Sequence, residues 1–156
     1  MSNPLAFTIP GNPRGKGRPR ATRFGAGVRL YTDAKTASYE GLVAHAAHVA
    51  LGARDPLEGA LEINVLVRIA PPASASKKAV ASMLAGEVAP AKKPDLDNIV
   101  KAVLDGCNGV AFKDDAQICW INAGKIYAAK AGVDVTIRQD APSLSATLML
   151  SYARAA

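Results

Sequence analysis

Hydrophobic and polar residues alternate most cleanly over residues 59–70, where Leu61, Ile63, Val65 and Val67 interleave with Glu62, Asn64 and Arg68. A period of two belongs to a strand buried on one face, and Pro71-Pro72 stops it. From Gly132 the pattern returns, with Val133, Val135 and Ile137 opposite Asp134, Thr136 and Arg138. Residues 5–9 and 28–31 read as short strands, and residues 118–128 as a β-prone run around Trp120, Ile121, Ile126 and Tyr127. Helical spacing appears three times. Residues 34–53 follow a Thr32 or Asp33 cap, carry Leu42, Val43, Ala46, Val49 and Ala50, and end at Gly52 and Pro56. Residues 74–84 predict a short helix with Lys77 and Lys78 outward. Residues 96–107 place Leu96, Ile99, Val100, Val103 and Cys107 on one face, and Asp97, Lys101 and Asp105 on the other. Loops are expected at residues 10–27, rich in Gly and Pro, and at 86–94, with a turn at Asn108-Gly109. The tail, residues 140–156, stays open between strand and helix. Strands and helices mix without a regular βαβ rhythm. The expected fold is α+β, a single domain over residues 1–156 with one mixed sheet packed by two or three helices.

Composition narrows the class. Of 156 residues, 49% are hydrophobic and 21% charged, which excludes a largely disordered chain. No apolar run approaches the ~20 residues of a membrane span. Residues 1–9 show no basic region and no cleavage pattern, so no signal peptide and a cytoplasmic location are expected. Cys107 and Cys119 lie twelve apart with no CxxC, which points to two reduced thiols rather than a disulfide or a metal site. His45 and His48 have no third ligand in view and read as surface or packing residues. Trp120 and Tyr127 read as sheet packing.

Charge changes the picture. Nineteen Lys and Arg against thirteen Asp and Glu give +6, a balance that favours an anionic partner. Residues 14–29 hold Arg14, Lys16, Arg18, Arg20, Arg23 and Arg29 and no acid. Small residues between these charges let the backbone approach a phosphate chain, and guanidinium forks suit phosphate oxygens. Residues 95–115 hold five of the thirteen acids: Asp95, Asp97, Asp105, Asp114 and Asp115.

The densest chemistry is Lys93-Pro94-Asp95-Leu96-Asp97-Asn98, followed by Lys101, Asp105 and Lys113-Asp114-Asp115. Pro94 suits a helix start, which sets Asp95 near the N-cap and Asp97 in the first turn. A hard divalent cation takes oxygen ligands and is commonly held by one or two carboxylates plus phosphate and water. Two aspartates at a chain bend can meet one ion, and Asp114 or Asp115 completes the set if the loop returns. Lys101 is placed to neutralise transition-state charge. The plainer reading makes Asp95 a helix cap, Asp97 and Lys101 an i,i+4 pair, and Asp114-Asp115 a solvated turn. A DxD alone does not separate the two.

The wider pattern does. Ile9-Pro10-Gly11-Asn12-Pro13, Lys16-Gly17-Arg18-Pro19-Arg20, Tyr31-Thr32, the Lys93–Asn98 block, Lys101-Ala102-Val103-Leu104-Asp105, Lys113-Asp114-Asp115-Ala116-Gln117-Ile118 and Lys125 together resemble the RusA-type Holliday junction resolvases, or crossover junction endodeoxyribonucleases. The resemblance runs over residues 7–137. It implies a homodimer that binds four-way DNA junctions and makes paired nicks with Mg²⁺, Mn²⁺ being a substitute, during recombination and repair. It places the catalytic and metal-binding carboxylates on Asp95, Asp97 and Asp115 and the essential lysine on Lys101, with Asp105 and Asp114 as supporting acids. Arg14, Lys16, Arg18, Arg20, Arg23, Lys93 and Lys125 are the candidate DNA contacts. Such a protein acts at the nucleoid, and the family is common in phages and prophages. The departures from the pattern are an Ala-rich linker over residues 54–92 and the tail after Gln139. Two rivals remain: a nuclease of the same fold for other branched or flapped DNA, which would carry the same motif, and a junction-binding protein that does not cleave, which an altered acid at Asp95, Asp97 or Asp115 would mark, and none is altered. A haloacid-dehalogenase-type phosphatase needs a strand before its DxD, where this chain has Pro94.

Overall fold

A computed structural model describes residues 3–139; the tail at 140–156 lies outside the described residues. Six strands and three α-helices follow one another as β1 (Leu5–Pro10), β2 (Arg20–Phe24), β3 (Gly27–Tyr31), α1 (Ala34–Leu51), β4 (Leu61–Ile69), α2 (Lys77–Leu84), α3 (Leu96–Cys107), β5 (Ile118–Tyr127) and β6 (Gly132–Gln139). A 3₁₀ turn, Asp115–Gln117, leads into β5. The main sheet has the order β1-β6-β4-β5. β4 pairs in parallel with β5, and the other pairings are antiparallel, so the sheet is mixed and the fold is α+β.

The alternating strands behave as their pattern requires. Leu61, Ile63, Val65 and Val67 of β4 and Val133, Val135 and Ile137 of β6 are buried against the helices. On the opposite face of the sheet, Glu62 accepts hydrogen bonds from Asn64 and Asn122, both at 3.1 Å. Arg68 grips Asp134 through Nε at 2.8 Å and through a second guanidinium nitrogen at 3.1 Å, tying β4 to β6. α1 and α3 cross on the buried face. Gly106 permits that crossing, because a Cβ there would lie 2.6 Å from the Val43 Cβ.

Two expectations change. In α1 the buried residues are Thr36, Tyr39, Val43, Ala47 and Leu51, while Leu42 and Val49 face solvent. An Ala-rich helix has little contrast around its circumference, so its apolar stripe is poorly marked. The segment expected as a loop at 10–27 contains strand β2, which forms a hairpin with β3. Every residue of that hairpin is exposed, so no buried face stamped an alternation on its sequence.

Candidate active site

The start of α3 carries the first pair of acids. Asp95 is its N-cap residue, yet its side chain makes no capping hydrogen bond. Among the described residues its carboxylate accepts only from the Asn98 side-chain amide, Nδ2, at 3.4 Å. Asp97 follows in the first turn, exposed. Lys101 lies one turn further along and is also exposed. Among the described residues the ion pairs are Lys16 with Glu40 and Asp105, Arg68 with Asp134, and Lys113 with Glu58. The ordinary reading of this cluster, a cap and an i,i+4 pair, is therefore not what forms. Two carboxylates stand at one helix start, committed to neither cap nor cation. That donor set suits a hard divalent ion completed by phosphate and water.

The basic segment is fastened to the same place. The Lys16 amide donates to the Asn98 carbonyl at 2.8 Å. Gly15 lies so close that a Cβ would come within 2.8 Å of the Asn98 Cβ. A cleft of about 420 Å³ opens between them, lined by Gly15, Lys16, Lys93, Pro94, Asp95 and Asn98. The Lys16 ammonium bonds Asp105 and lies 3.4 Å from Glu40, and its hydrogen bond to Asp105 raises its pKa above the ordinary lysine value. Lys16 is thus a pin between the loop, α1 and α3, and Asp105 is its partner. Lys125 is likewise engaged: it donates to the carbonyls of Lys92 at 2.8 Å and Pro94 at 3.0 Å, holding the loop before Asp95. Arg14, Arg18, Arg20, Arg23 and Lys93 are exposed.

The second pair of acids sits elsewhere. Asp114 caps the 3₁₀ turn, accepting from the Ala116 amide at 2.8 Å within a complete capping box. Gln117 closes that box by accepting from the Lys113 and Asp114 amides, and its own amide donates to the Leu57 and Gly59 carbonyls. Asp115 is left exposed beside the bonded Asp114. The turn leads into Ile118, at the start of β5, whereas Lys125, toward the end of β5, touches the Asp95 loop. α3 therefore runs against β5, and its twelve residues separate Asp95 from the Asp115 end by about 18 Å at 1.5 Å per residue. The loop does not return: among the described residues no group of three acids, His or Cys gathers in one chain to hold a metal. Asn98 and Gln117, which position the two acid pairs, stood inside the quoted blocks without a role. For Gln117 the signal was its capping-box spacing from Asp114.

Cys107 is buried and Cys119 exposed, and neither is bridged; burial pushes the Cys107 thiol up to about 12. His45 and His48 are exposed on α1, and Trp120 and Tyr127 are half-buried in β5.

Comparison with known proteins decides the kinship. The family model for endodeoxyribonuclease RusA matches residues 10–138. The chain belongs to the RusA endodeoxyribonuclease family. A Bacillus subtilis (strain 168) relative, the uncharacterized protein YqaN, is 31% identical over 138 residues, covering 86% of this chain and 96% of its own. Membership in the RusA family indicates a hydrolase of DNA. It also explains why the matched span contains both the basic segment and the two acid pairs.

Proposed function

We propose that this RusA-family protein is a Mg²⁺-dependent endodeoxyribonuclease that resolves four-way DNA junctions by paired nicks, working as a homodimer on DNA in the cytoplasm. The observation that carries the reading is the uncommitted pair Asp95 and Asp97 at a helix start, across a cleft from a pinned basic loop. These carboxylates would hold the cation, which supplies polarisation of the phosphodiester and a more acidic water. Lys101, on the turn after Asp97, faces the charge that grows on the phosphate oxygens. Arg14, Arg18, Arg20 and Arg23 take the flanking phosphates.

Asp115 enters through a second copy. β5 has a strand neighbour on one side only among the described residues. Between α3 and β5 runs an apolar groove of about 600 Å³, lined by Leu96, Val100, Leu104, Ile121 and Ala123, with Asp97 and Lys101 also on its wall. Isologous, antiparallel association along β5 superposes opposite ends of the strand. Asp115 of the partner subunit then approaches Asp95 and Asp97, and two equivalent sites result. A four-way junction offers two symmetry-related scissile phosphates to match.

The test incubates labelled four-way junction, flap and linear duplex with Mg²⁺ and with chelator. Paired nicks confined to the junction are expected, and cutting that persists in excess chelator overturns the reading. Subunit mixing tests the shared site. Asp95→Asn and Asp115→Asn proteins, each inactive alone, should regain nicking when mixed, because one of the two sites in the mixed dimer is intact. No recovery in mixed dimers of verified composition places all the ligands on one chain.

A further inference from the structure

Of the β2–β3 hairpin, the nuclease reading uses only the charges of Arg20 and Arg23 on β2. Its strands pair with each other and with no other strand among those described. Phe24 is 73% exposed, Val28 71%, Leu30 68% and Tyr31 46%. A bare two-stranded ribbon is marginal in water, and one that holds several large apolar groups in solvent signals a partner.

The register sorts the ribbon into two faces, since opposed residues share a face. Arg20 opposes Tyr31, Thr22 opposes Arg29, and Phe24 opposes Gly27. One face thus combines two guanidinium groups with two aromatic rings. Ala21, Arg23, Val28 and Leu30 form the other. No acid precedes Asp33 in the chain, so the ribbon is wholly cationic and its complement is a polyanion. The ribbon begins four residues after the Lys16–Asn98 contact beside Asp95, and its five-residue strands are about 17 Å long.

We propose that this ribbon is a branch-sensing arm: Arg20 and Arg29 hold DNA phosphates, and Phe24 and Tyr31 stack on bases uncovered where the duplex is interrupted. The inference rests on the reading of the substrate as branched DNA. Within a continuous duplex each base is covered above and below, so a ring finds no face to stack on. At a crossover, base faces become available, and stacking tolerates any sequence because every base has a π-face. Arginines alone attract all DNA alike; the rings add a preference for discontinuity. The arm thereby separates recognition of structure from the cutting chemistry.

Binding in chelator tests this without any cutting. The probes are an immobile four-way junction and a linear duplex of matched sequence. Phe24→Ala should weaken junction binding about five- to a hundredfold, the range for loss of one base–aromatic stack, with duplex affinity unchanged. Phe24→Trp should restore the preference and Phe24→Leu should not. The double variant Arg20→Ala, Arg29→Ala should weaken both probes together and flatten the salt slope by about 1.8, at 0.9 per phosphate contact. For Phe24→Ala, equal loss on both probes, no loss on either, or rescue by Leu as good as by Trp overturns the proposal. So does a fall in sedimenting mass with DNA binding intact, which would make the ribbon a protein interface. All these proteins should melt together, since Phe24 has no buried contact to lose. Failure of the nuclease reading shows separately, as a parent that binds junctions but never nicks them in Mg²⁺.

Discussion

Two helix starts, that of α3 and that of the 3₁₀ turn before β5, each carry a pair of aspartates, and in each pair the first is an N-cap residue. Asp114 makes its cap bond, at 2.8 Å to the Ala116 amide, inside a full capping box. Asp95 makes none. The same residue type in the same position is a structural element at the 3₁₀ turn and an uncommitted carboxylate at α3. The difference teaches where to look for function in a charged cluster. What marks a carboxylate as chemical is the hydrogen bond it does not make, together with the absence of a cation that would neutralise it.

The comparison breaks most visibly through the chemistry. Asp95→Asn and Asp97→Asn should each lower junction nicking by on the order of 10³-fold, the range for removing a group that stabilises transition-state charge. Because neither side chain caps the helix, thermal stability should stay at the parent value. Junction binding in chelator should be equal or tighter, since a negative charge facing phosphate is removed. Gel-based nicking, melting and binding curves on the same preparations check all three. Variants that fail to bind and melt early would show that these acids hold the fold, and the contrast between the two helix starts would collapse.

A smaller effect sharpens the Asp95 end. Lys16→Met leaves Asp105 and Glu40 half-buried without their cation, at a cost of about 1–3 kcal/mol. It also unpins the basic loop from the turn that carries Asp95, so junction affinity should fall as well. The hydrogen bond to Asp105 raises the folded pKa of Lys16 above 10.5. A raised lysine pKa means that the contribution is complete below the unfolded value and is lost as pH climbs through the folded one. The stability gap between parent and Lys16→Met should therefore hold through neutral pH and narrow in strong alkali. Denaturant titrations from neutral pH into alkali check it, and a gap that stays undiminished in strong alkali would assign the stabilisation to another group.

How much of this was legible follows from what marks a sequence. β4, β6 and α3 were read nearly residue for residue, because each has one buried face and burial imposes a period. The α1 stripe was misplaced, since alanine fits either face. β2 was missed because nothing buries it. At the site, residue types and spacing pointed to Asp95, Asp97 and one of Asp114 and Asp115, and the family resemblance chose Asp115. The distance between them was not written locally: it depends on α3 running against β5, which is a property of the chain's path. The same holds for Lys16 and Lys125. As residue types they belong with the other basic side chains, yet Lys16 is tied to acids on two helices and Lys125 to two backbone carbonyls. A charge count cannot distinguish a lysine that faces a ligand from one that positions the loop beneath it.

The smallest effects test the Asp114 end, where charge and cap can be separated by choice of substitution. Asp114→Asn keeps a side-chain oxygen for the Ala116 amide and removes the charge; stability should change by only about 0.5 kcal/mol or less, since Asn caps as well as Asp. Asp114→Ala removes the acceptor and should cost about 1 kcal/mol. Gln117 still anchors the turn to the Leu57 and Gly59 carbonyls, so neither change unfolds it. Activity should follow the cap rather than the charge: nearly parental for Asn, and reduced for Ala because the turn that presents Asp115 loosens. Asp115→Asn should reverse this order, with full stability and little nicking. If Asp114→Asn is inactive while Asp115→Asn cuts, the two neighbours exchange roles: the capped aspartate would then be the ligand, and a made hydrogen bond would no longer separate structural acids from chemical ones in this protein.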